Sequence, residues 1–219
     1  MSTKQLTFGV SFKHMFKVLD KWGEIADDML YNNKYFSAEF FTNISTQYTT
    51  ERRLFNPEKK HFFVLTSNNL IYTQTIEGDY DKEYELFKQR VVKYIVPEIL
   101  SKHNIIVRRL GVVYSNEFNE QQIKSFSSKY FNPNVQNILD FRFSKKEGTT
   151  KGALYLENSD YINKIITVGN ISKDFIGISF DYQLHFTPIR EDVRDVISEF
   201  LSNANDSFKE EITDAIGEN

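Results

Sequence analysis

The sequence predicts an α+β fold of two similar halves, each reading strand, helix, three-strand meander, helix, with antiparallel sheets and helices mainly on one face. Three observations carry this expectation. The apolar content is strongly aromatic, with 20 Phe and 12 Tyr against one Trp, nine Gly and four Pro in 219 residues, which suits pleated, half-buried surfaces. Stretches of period two alternate with stretches of helical period. The element order then begins again, dividing the chain into halves at 1–103 and 104–219, packed closely enough to form one domain.

In the first half, Phe8, Val10 and Phe12 fall on one face of a strand over residues 6 to 12. A helix is expected over 13 to 31, because Met15, Leu19, Trp22, Ile25, Ala26 and Met29 recur at helical spacing. The stretch "KYFSAEFFTNISTQYTT" reads as a long strand with Phe36, Ala38, Phe40 and Ile44 inward. "HFFVLTSNNLIYTQTI" has the form of a hairpin around Ser67-Asn68-Asn69, with the asparagines suited to left-handed turn positions. A helix follows over 80 to 102, striped by Tyr84, Phe87, Val91, Ile95 and Ile99. Asp79, Asp81, Glu83 and Glu85 crowd its start, where the helix dipole favours negative charge. They do not form a calcium loop, whose sixth position requires glycine and here is Tyr84.

The second half opens with the strand "IIVRRLGVVYSN" and the short helix "NEQQIKSFSSKYF", ending before Pro133. "QNILDFRFSKK" reads as a strand stopping at a turn with Gly148, "KGALYLEN" as another and "FIGISFDYQLHF" as the third. In that last strand Ile176, Ile178, Phe180, Tyr182, Leu184 and Phe186 face inward, while Ser179, Asp181, Gln183 and His185 face outward. "NILDFRF" sets Asp140 and Arg142 opposite Leu139, Phe141 and Phe143. The chain closes with a helix from about Glu191, burying Val193, Val196, Ile197, Phe200 and Leu201. An internal duplication is supported by "FGVSF" at 8–12 and "LGVVY" at 110–114, matched in type at an offset of 102 residues that Phe16 and Phe118 also keep.

Composition narrows the function. Without cysteine there is no disulfide framework, thiolate zinc site or cysteine nucleophile. No stretch approaches a membrane span and the N-terminus lacks a signal-length apolar run, so a cytoplasmic protein is expected. A net charge of −3 gives no global attraction to nucleic acid.

At "RRLGVVYSN" the chain resembles a family of uncharacterised, sporadically distributed bacterial proteins whose central signature is similar to R-x-G-x-R-Y-x-N. Arg109, Gly111, Tyr114 and Asn116 match, while Val113 stands where the signature has its second arginine. Asp181, in "DYQ", echoes the family more weakly. The resemblance implies no reaction; the family's patchy distribution points to mobile-element or defence genes. The element order also resembles saddle-like duplicated folds such as that of the TATA-binding protein, an analogy of fold alone.

The phosphate-loop, dinucleotide-binding and two-histidine zinc patterns are all missing, and no cofactor is expected. Asp181 and His185 share a strand face and form the best acid/base pair, but four residues of strand separate them by about 13 Å. Asp140, Glu157 and Lys145 or Lys146 would add a metal-dependent hydrolase or nuclease constellation. Arg52, Arg53, Lys59 and Lys60 flank Pro57 as a basic tip able to meet phosphates. Arg108 is expected to share a face with Leu110, Val112 and Tyr114, and Arg109 with Val107, Gly111 and Val113, which would leave one arginine on a covered face with an ion-pair or anion partner.

The leading expectation is a non-enzymatic binding or scaffold protein that meets a protein partner, including a second copy of itself, through Arg108, Arg109, Tyr114, Asn116, Asp140, Arg142, Asp181 and His185. The alternative is a nucleic-acid-binding accessory protein using Arg52, Arg53, Lys59 and Lys60. A hydrolase or nuclease built on Asp140, Glu157, Asp181 and His185 is the third reading.

Overall fold

Among the described residues, the first strands of residues 1–103 and 104–219 lie side by side at the centre of one nine-stranded antiparallel sheet. A computed structural model describes residues 3–31, 42–43, 51–128, 141–148, 160–170 and 176–213. Its strands are β1 (Thr3–Phe12), β2 (Thr42–Asn43), β3 (Arg52–Asn56), β4 (His61–Leu65), β5 (Asn69–Thr75), β6 (Val107–Phe118), β7 (Phe141–Gly148), β8 (Tyr161–Asn170) and β9 (Ile176–Arg190). Across the sheet they run β2-β3-β4-β5-β1-β6-β9-β8-β7. The helices are α1 (Lys17–Asp20), α2 (Trp22–Leu30), α3 (Tyr80–Arg90), α4 (Glu120–Ser128) and α5 (Arg194–Phe208). Wider π-helical runs extend α3 through Val91–Ser101 and α5 through Lys209–Thr213.

Alternation decides which residues enter the core. Leu6, Phe8, Val10 and Phe12 of β1 are buried, as are Leu110, Val112 and Tyr114 of β6 and Phe180, Tyr182 and Leu184 of β9. Rings from this set meet rings from helices: Tyr72 lies 5.8 Å from Phe87, Tyr114 4.4 Å from Phe208, and Tyr182 5.7 Å from Phe200. The expected stripes of α3 and α5 are buried throughout, from Tyr84 to Ile99 and from Val193 to Leu201. Capping follows the sequence signals. Asp79 Oδ1 accepts from the Lys82 N–H at 3.1 Å, and Asn119 and Gln122 exchange side-chain-to-backbone bonds of 2.9 and 3.0 Å in a reciprocal box.

Several expectations change. The helix expected from residue 13 begins at Lys17, because Lys13 and Met15 donate their N–H groups to Ile106 and Ser67 carbonyls. The hairpin turn uses no left-handed asparagine: Thr66 Oγ1 instead accepts from the Asn68 and Asn69 N–H groups. Among the described non-glycine residues, positive φ occurs at Lys60 (52°) and Asn104 (51°). Arg52 and Arg53 belong to β3, a strand the spacing did not suggest. The following turn is closed by Asn56 Oδ1, which accepts from Glu58 and Lys59 N–H at 3.0 Å each.

In the second half the middle strand of the meander is β8, residues the sequence pattern left unassigned; Ile165 and Ile166 are adjacent and interrupt its alternation. The strand expected at "KGALYLEN", most of "KYFSAEFFTNISTQYTT", and the start of "QNILDFRFSKK" lie outside the described residues, and β7 runs through Gly148. Phe16 and Phe118 are not equivalent in place: Phe16 lies beyond β1 and is exposed, whereas Phe118 ends β6 and is buried.

A register shift alters the two arginines. Phe12 pairs with Val107 and Ser11 with Arg109, so Arg108 is the extra residue of a bulge. Val107 and Leu110 consequently both point into the core. Arg108 is exposed and Arg109 half-buried on the other face. The expected arginine on the core face is absent from this pair; an arginine reaches the core side from residues 1–103 instead, where half-buried Arg90 donates to Tyr72 Oη at 3.0 Å and to Gln74 Oε1 at 2.6 Å.

Candidate functional site

The face opposite the core is organised about two glycines. Gly9 and Gly111 pair directly across β1 and β6. The row they share continues through Ile71 on one side and Gln183, Asn163 and Lys146 on the other. Neither glycine has positive φ, and neither is crowded. A Cβ on Gly9 would meet nothing within 4 Å, and one on Gly111 would meet Asp181 Oδ1 at 3.8 Å as its nearest neighbour. Backbone geometry therefore does not require glycine at either position. What the pair supplies is a gap in the side-chain layer, the floor of a depression of about 170 Å³.

Ile71, Val113, Thr7, Arg109, Asp181 and Gln183 are prominent around that floor. On the β5 side, Ile71 and Phe62 are each 38% exposed and Phe62 stacks on Phe55 at 4.5 Å. On the β9 side, an array of polar groups runs along the strand. Gln183 Nε2 donates to Asp181 Oδ2 at 2.5 Å, and its Oε1 lies 3.1 Å from His185 Nε2. Asn163 Nδ2 also donates to that Oε1, at 3.4 Å. Since the amide nitrogen is committed to the carboxylate, the amide oxygen must accept, so His185 carries its proton on Nε2. His185 stacks on Tyr161 with centroids 4.5 Å apart, and Lys146 Nζ lies 3.7 Å from the Tyr161 ring centre.

Burial dominates the electrostatics. It pushes the Asp181 carboxyl above the ordinary carboxylate range, against the pull of the Gln183 hydrogen bond and the Arg109 and Arg142 charges. Burial also lowers His185, helped by the Arg109 and Lys146 charges, which keeps the imidazole neutral near pH 7. The Arg109 guanidinium makes no hydrogen bond or ion pair with another described residue, although its charge acts on both groups.

Of the residues singled out in the sequence, Arg109, Arg142, Asp181 and His185 share this face: Arg142 pairs with Thr167, which pairs with Ser179, two residues before Asp181. Arg108 stands apart at the bulge. Tyr114 and Asn116 lie on the core side and do not reach a partner directly. Tyr114 is 0% exposed, and Asn116 is buried, with Nδ2 donating to the Tyr114 and Ile178 carbonyls at 3.3 and 3.2 Å. Their alternation with Gly111 and Arg109 already separated the faces; the motif obscured it. Asp140 and Glu157 lie outside the described residues. Gln183 was legible as outward-facing, whereas Asn163 and Tyr161 were hidden because β8 was.

The basic tip does not form one cationic patch. Arg53 Nε donates to Glu51 Oε2 at 2.9 Å, and neighbouring residues of β3 point to opposite faces, while Lys59 and Lys60 sit in the turn. Glu24, Asp28 and His103 have potential ligand atoms within 4.8 Å of one another, but Lys102 Nζ pairs with Asp28 and lies 3.6 Å from Glu24, supplying a cation there.

Among the described residues, no helix is long and apolar enough to cross a membrane. No family model matches the sequence, and no curated protein is similar to it. Among solved structures, the di-domain ARO/CYC StfQ from the steffimycin biosynthetic pathway is similar at 8% identity and a TM-score of 0.24, over 98% of this chain and 97% of that chain. A likeness of that size carries no argument about fold or function.

Proposed function

We propose that this chain is a non-enzymatic binding protein that uses the glycine-centred face of its sheet to hold a protein partner, a second copy of the chain included. The observation that carries the reading is the paired-glycine depression. Strand glycine costs about 0.5–1 kcal/mol relative to alanine. Here two stand opposite each other in the central strands, where a Cβ would fit. At about 170 Å³ the space is below the roughly 300 Å³ where small-molecule pockets begin, and suits one side chain.

The reading includes helices gathered mainly on the core face and an internal duplication. The pairing of Gly9 with Gly111, flanked by Phe8 with Val112 and Val10 with Leu110, supports the duplication, because a two-fold relation makes the equivalent residue its own partner. It also includes a cytoplasmic setting and membership of the uncharacterised bacterial family, with a role in a mobile-element or defence system. Arg109 and Gly111 line the depression, which favours a binding use of the motif.

Acid/base catalysis has less support, since Asp181 and His185 are bridged by an amide, which does not pass a proton as a titrating group does. Nucleic-acid binding through Arg52, Arg53, Lys59 and Lys60 is weakened by the Glu51 pairing.

Photo-crosslinkers at Thr167 and Ser179, compared with one at Ser198 on α5, test the face in native cells. One defined protein adduct from the sheet positions and none from Ser198 is expected. Equal labelling from all three, or adducts with nucleic acid alone, would overturn the reading.

A further inference from the structure

We propose that the Gly9–Gly111 depression is a socket for a single phenolic side chain, a tyrosine of the protein partner. The inference rests on the binding reading above and names the group that the face recognises. Size comes first. The depression holds about 170 Å³, and an apolar cavity of about 150 Å³ is known to admit benzene. One aromatic ring fits, whereas a nucleotide or an extended cofactor does not.

Its surroundings are two-sided. Ile71 and Val113 offer apolar surface around a floor of glycine backbone, while Arg109, Asp181 and Gln183 bring polar groups from β6 and β9. The guest must therefore be apolar along its body and polar at one end.

The polar end is specified by what is already engaged. Gln183 Nε2 occupies Asp181 Oδ2. Oδ1 accepts no hydrogen bond from another described residue and lies 3.8 Å from the place a Gly111 Cβ would take, over the floor. Arg109 brings donors without a hydrogen-bond partner among the described residues. A tip that both donates to a carboxylate and accepts from a guanidinium satisfies the two groups together, and a phenol hydroxyl does both. A carboxylate guest would meet Asp181 and an ammonium guest would meet Arg109, each against like charge. A bare phenyl ring would desolvate both groups without pairing them. Tyrosine is also the residue type that interfaces favour as a buried anchor.

The test titrates the ¹⁵N-labelled full chain with N-acetyl-tyrosinamide, N-acetyl-phenylalaninamide and N-acetyl-glutamate, read by amide shifts. The tyrosine probe is expected to move Gly9, Gly111 and Ile71 saturably and to bind at least about tenfold more tightly than the phenylalanine probe. Asp181→Asn and Arg109→Gln should each weaken the tyrosine probe at least about tenfold and reduce its margin over phenylalanine. Gly111→Val fills the depression and should abolish binding; Gly111→Ala, whose Cβ meets its nearest neighbour at an ordinary 3.8 Å, should weaken binding while keeping the fold.

Equal affinity for the phenyl and phenol probes, preference for glutamate, or shifts that survive both Gly111 variants would overturn the socket. No binding of the tyrosine probe, while the sheet positions still crosslink a protein, would sink the socket and leave the binding face standing. Probe binding without any protein adduct would instead sink the partner reading.

Discussion

On the two sides of the central glycine pair, one sheet face carries different chemistry. Beyond Gly9, the β5–β4–β3 side presents Ile71, Phe62 and Phe55, two of them rings in contact. Beyond Gly111, the β9–β8–β7 side presents Asp181, Gln183, His185 and Asn163, joined by hydrogen bonds, with Lys146 over the Tyr161 ring on which His185 stacks. Their cores differ less, each packing aromatic residues against a helix; Tyr72 against Phe87 corresponds in kind to Tyr114 against Phe208. The difference shows how one framework can keep its packing and vary its surface. A strand's outward positions are free to change while its inward ones answer to the same close-packed layer. The glycines lie on the seam, where the proposed amphipathic guest would meet both chemistries.

The largest expected effect tests whether the cores are in fact alike. Phe8→Ala on one side and Phe180→Ala on the other should each cost about 3–5 kcal/mol in urea unfolding, since both rings are fully buried. A cost confined to one side would mean that the sheet does not unfold as a unit.

Next comes pH. Burial, with the Arg90 and Lys59 charges, holds buried His61 at about 4 instead of 6.5. Its folded value is depressed, so its stabilising contribution is complete above pH 6.5 and is lost as pH falls towards about 4. The loss is worth roughly 3 kcal/mol, and it should be missing from the unfolding curves of His61→Gln. His185 is lowered in the same direction, and His185→Gln should remove a smaller part of the same decline. An equal contribution from the two histidines would erase this distinction between buried core and half-buried face.

Hydroxyl removal separates the two core tyrosines. Tyr72 Oη accepts from Arg90 and donates to Gln74 Oε1, whereas Tyr114 Oη approaches Tyr84 Oη at 3.5 Å. Tyr72→Phe should therefore cost about 1–3 kcal/mol, and Tyr114→Phe less, by denaturant midpoint.

The smallest effect has the opposite sign. Gly9→Ala and Gly111→Ala should leave stability unchanged or raise it by about 0.5–1 kcal/mol, because neither backbone is left-handed and both sites have room. Marked destabilisation would return these glycines to a purely structural role and remove the seam's claim to function.

Much of the architecture was readable because burial and periodicity coincide. β1 and β9 alternate cleanly, as does β6 from Arg109 onward, past its bulge, and α3 and α5 bury the stripes their spacing marks. β8 was lost because Ile165 and Ile166 break the alternation, although Ile162 and Val168 are suited to a strand. β3 was lost because Arg52 and Arg53 read as a charged tip. Only part of the candidate site was legible. Asp181, Gln183 and His185 follow from period two along one strand, but their hydrogen bonds depend on rotamers that spacing does not express. Tyr114 and Asn116 entered the expected site by motif, and their buried side of the same strand shows that a shared motif need not mean a shared surface.

By itself, the sequence determined the α+β class, the aromatic core, the main helices and the outward face of the last strand, because these are local consequences of periodicity and composition. Only the tertiary structure decided that Gly9 meets Gly111, that a bulge turns Arg108 out of the core, and that half-buried Arg90 reaches the Tyr72 and Gln74 side chains. Register, bulges and cross-strand neighbours arise when residues about a hundred positions apart are brought within a strand spacing. No local pattern encodes that juxtaposition, and the depression exists only because two locally unremarkable glycines are opposed.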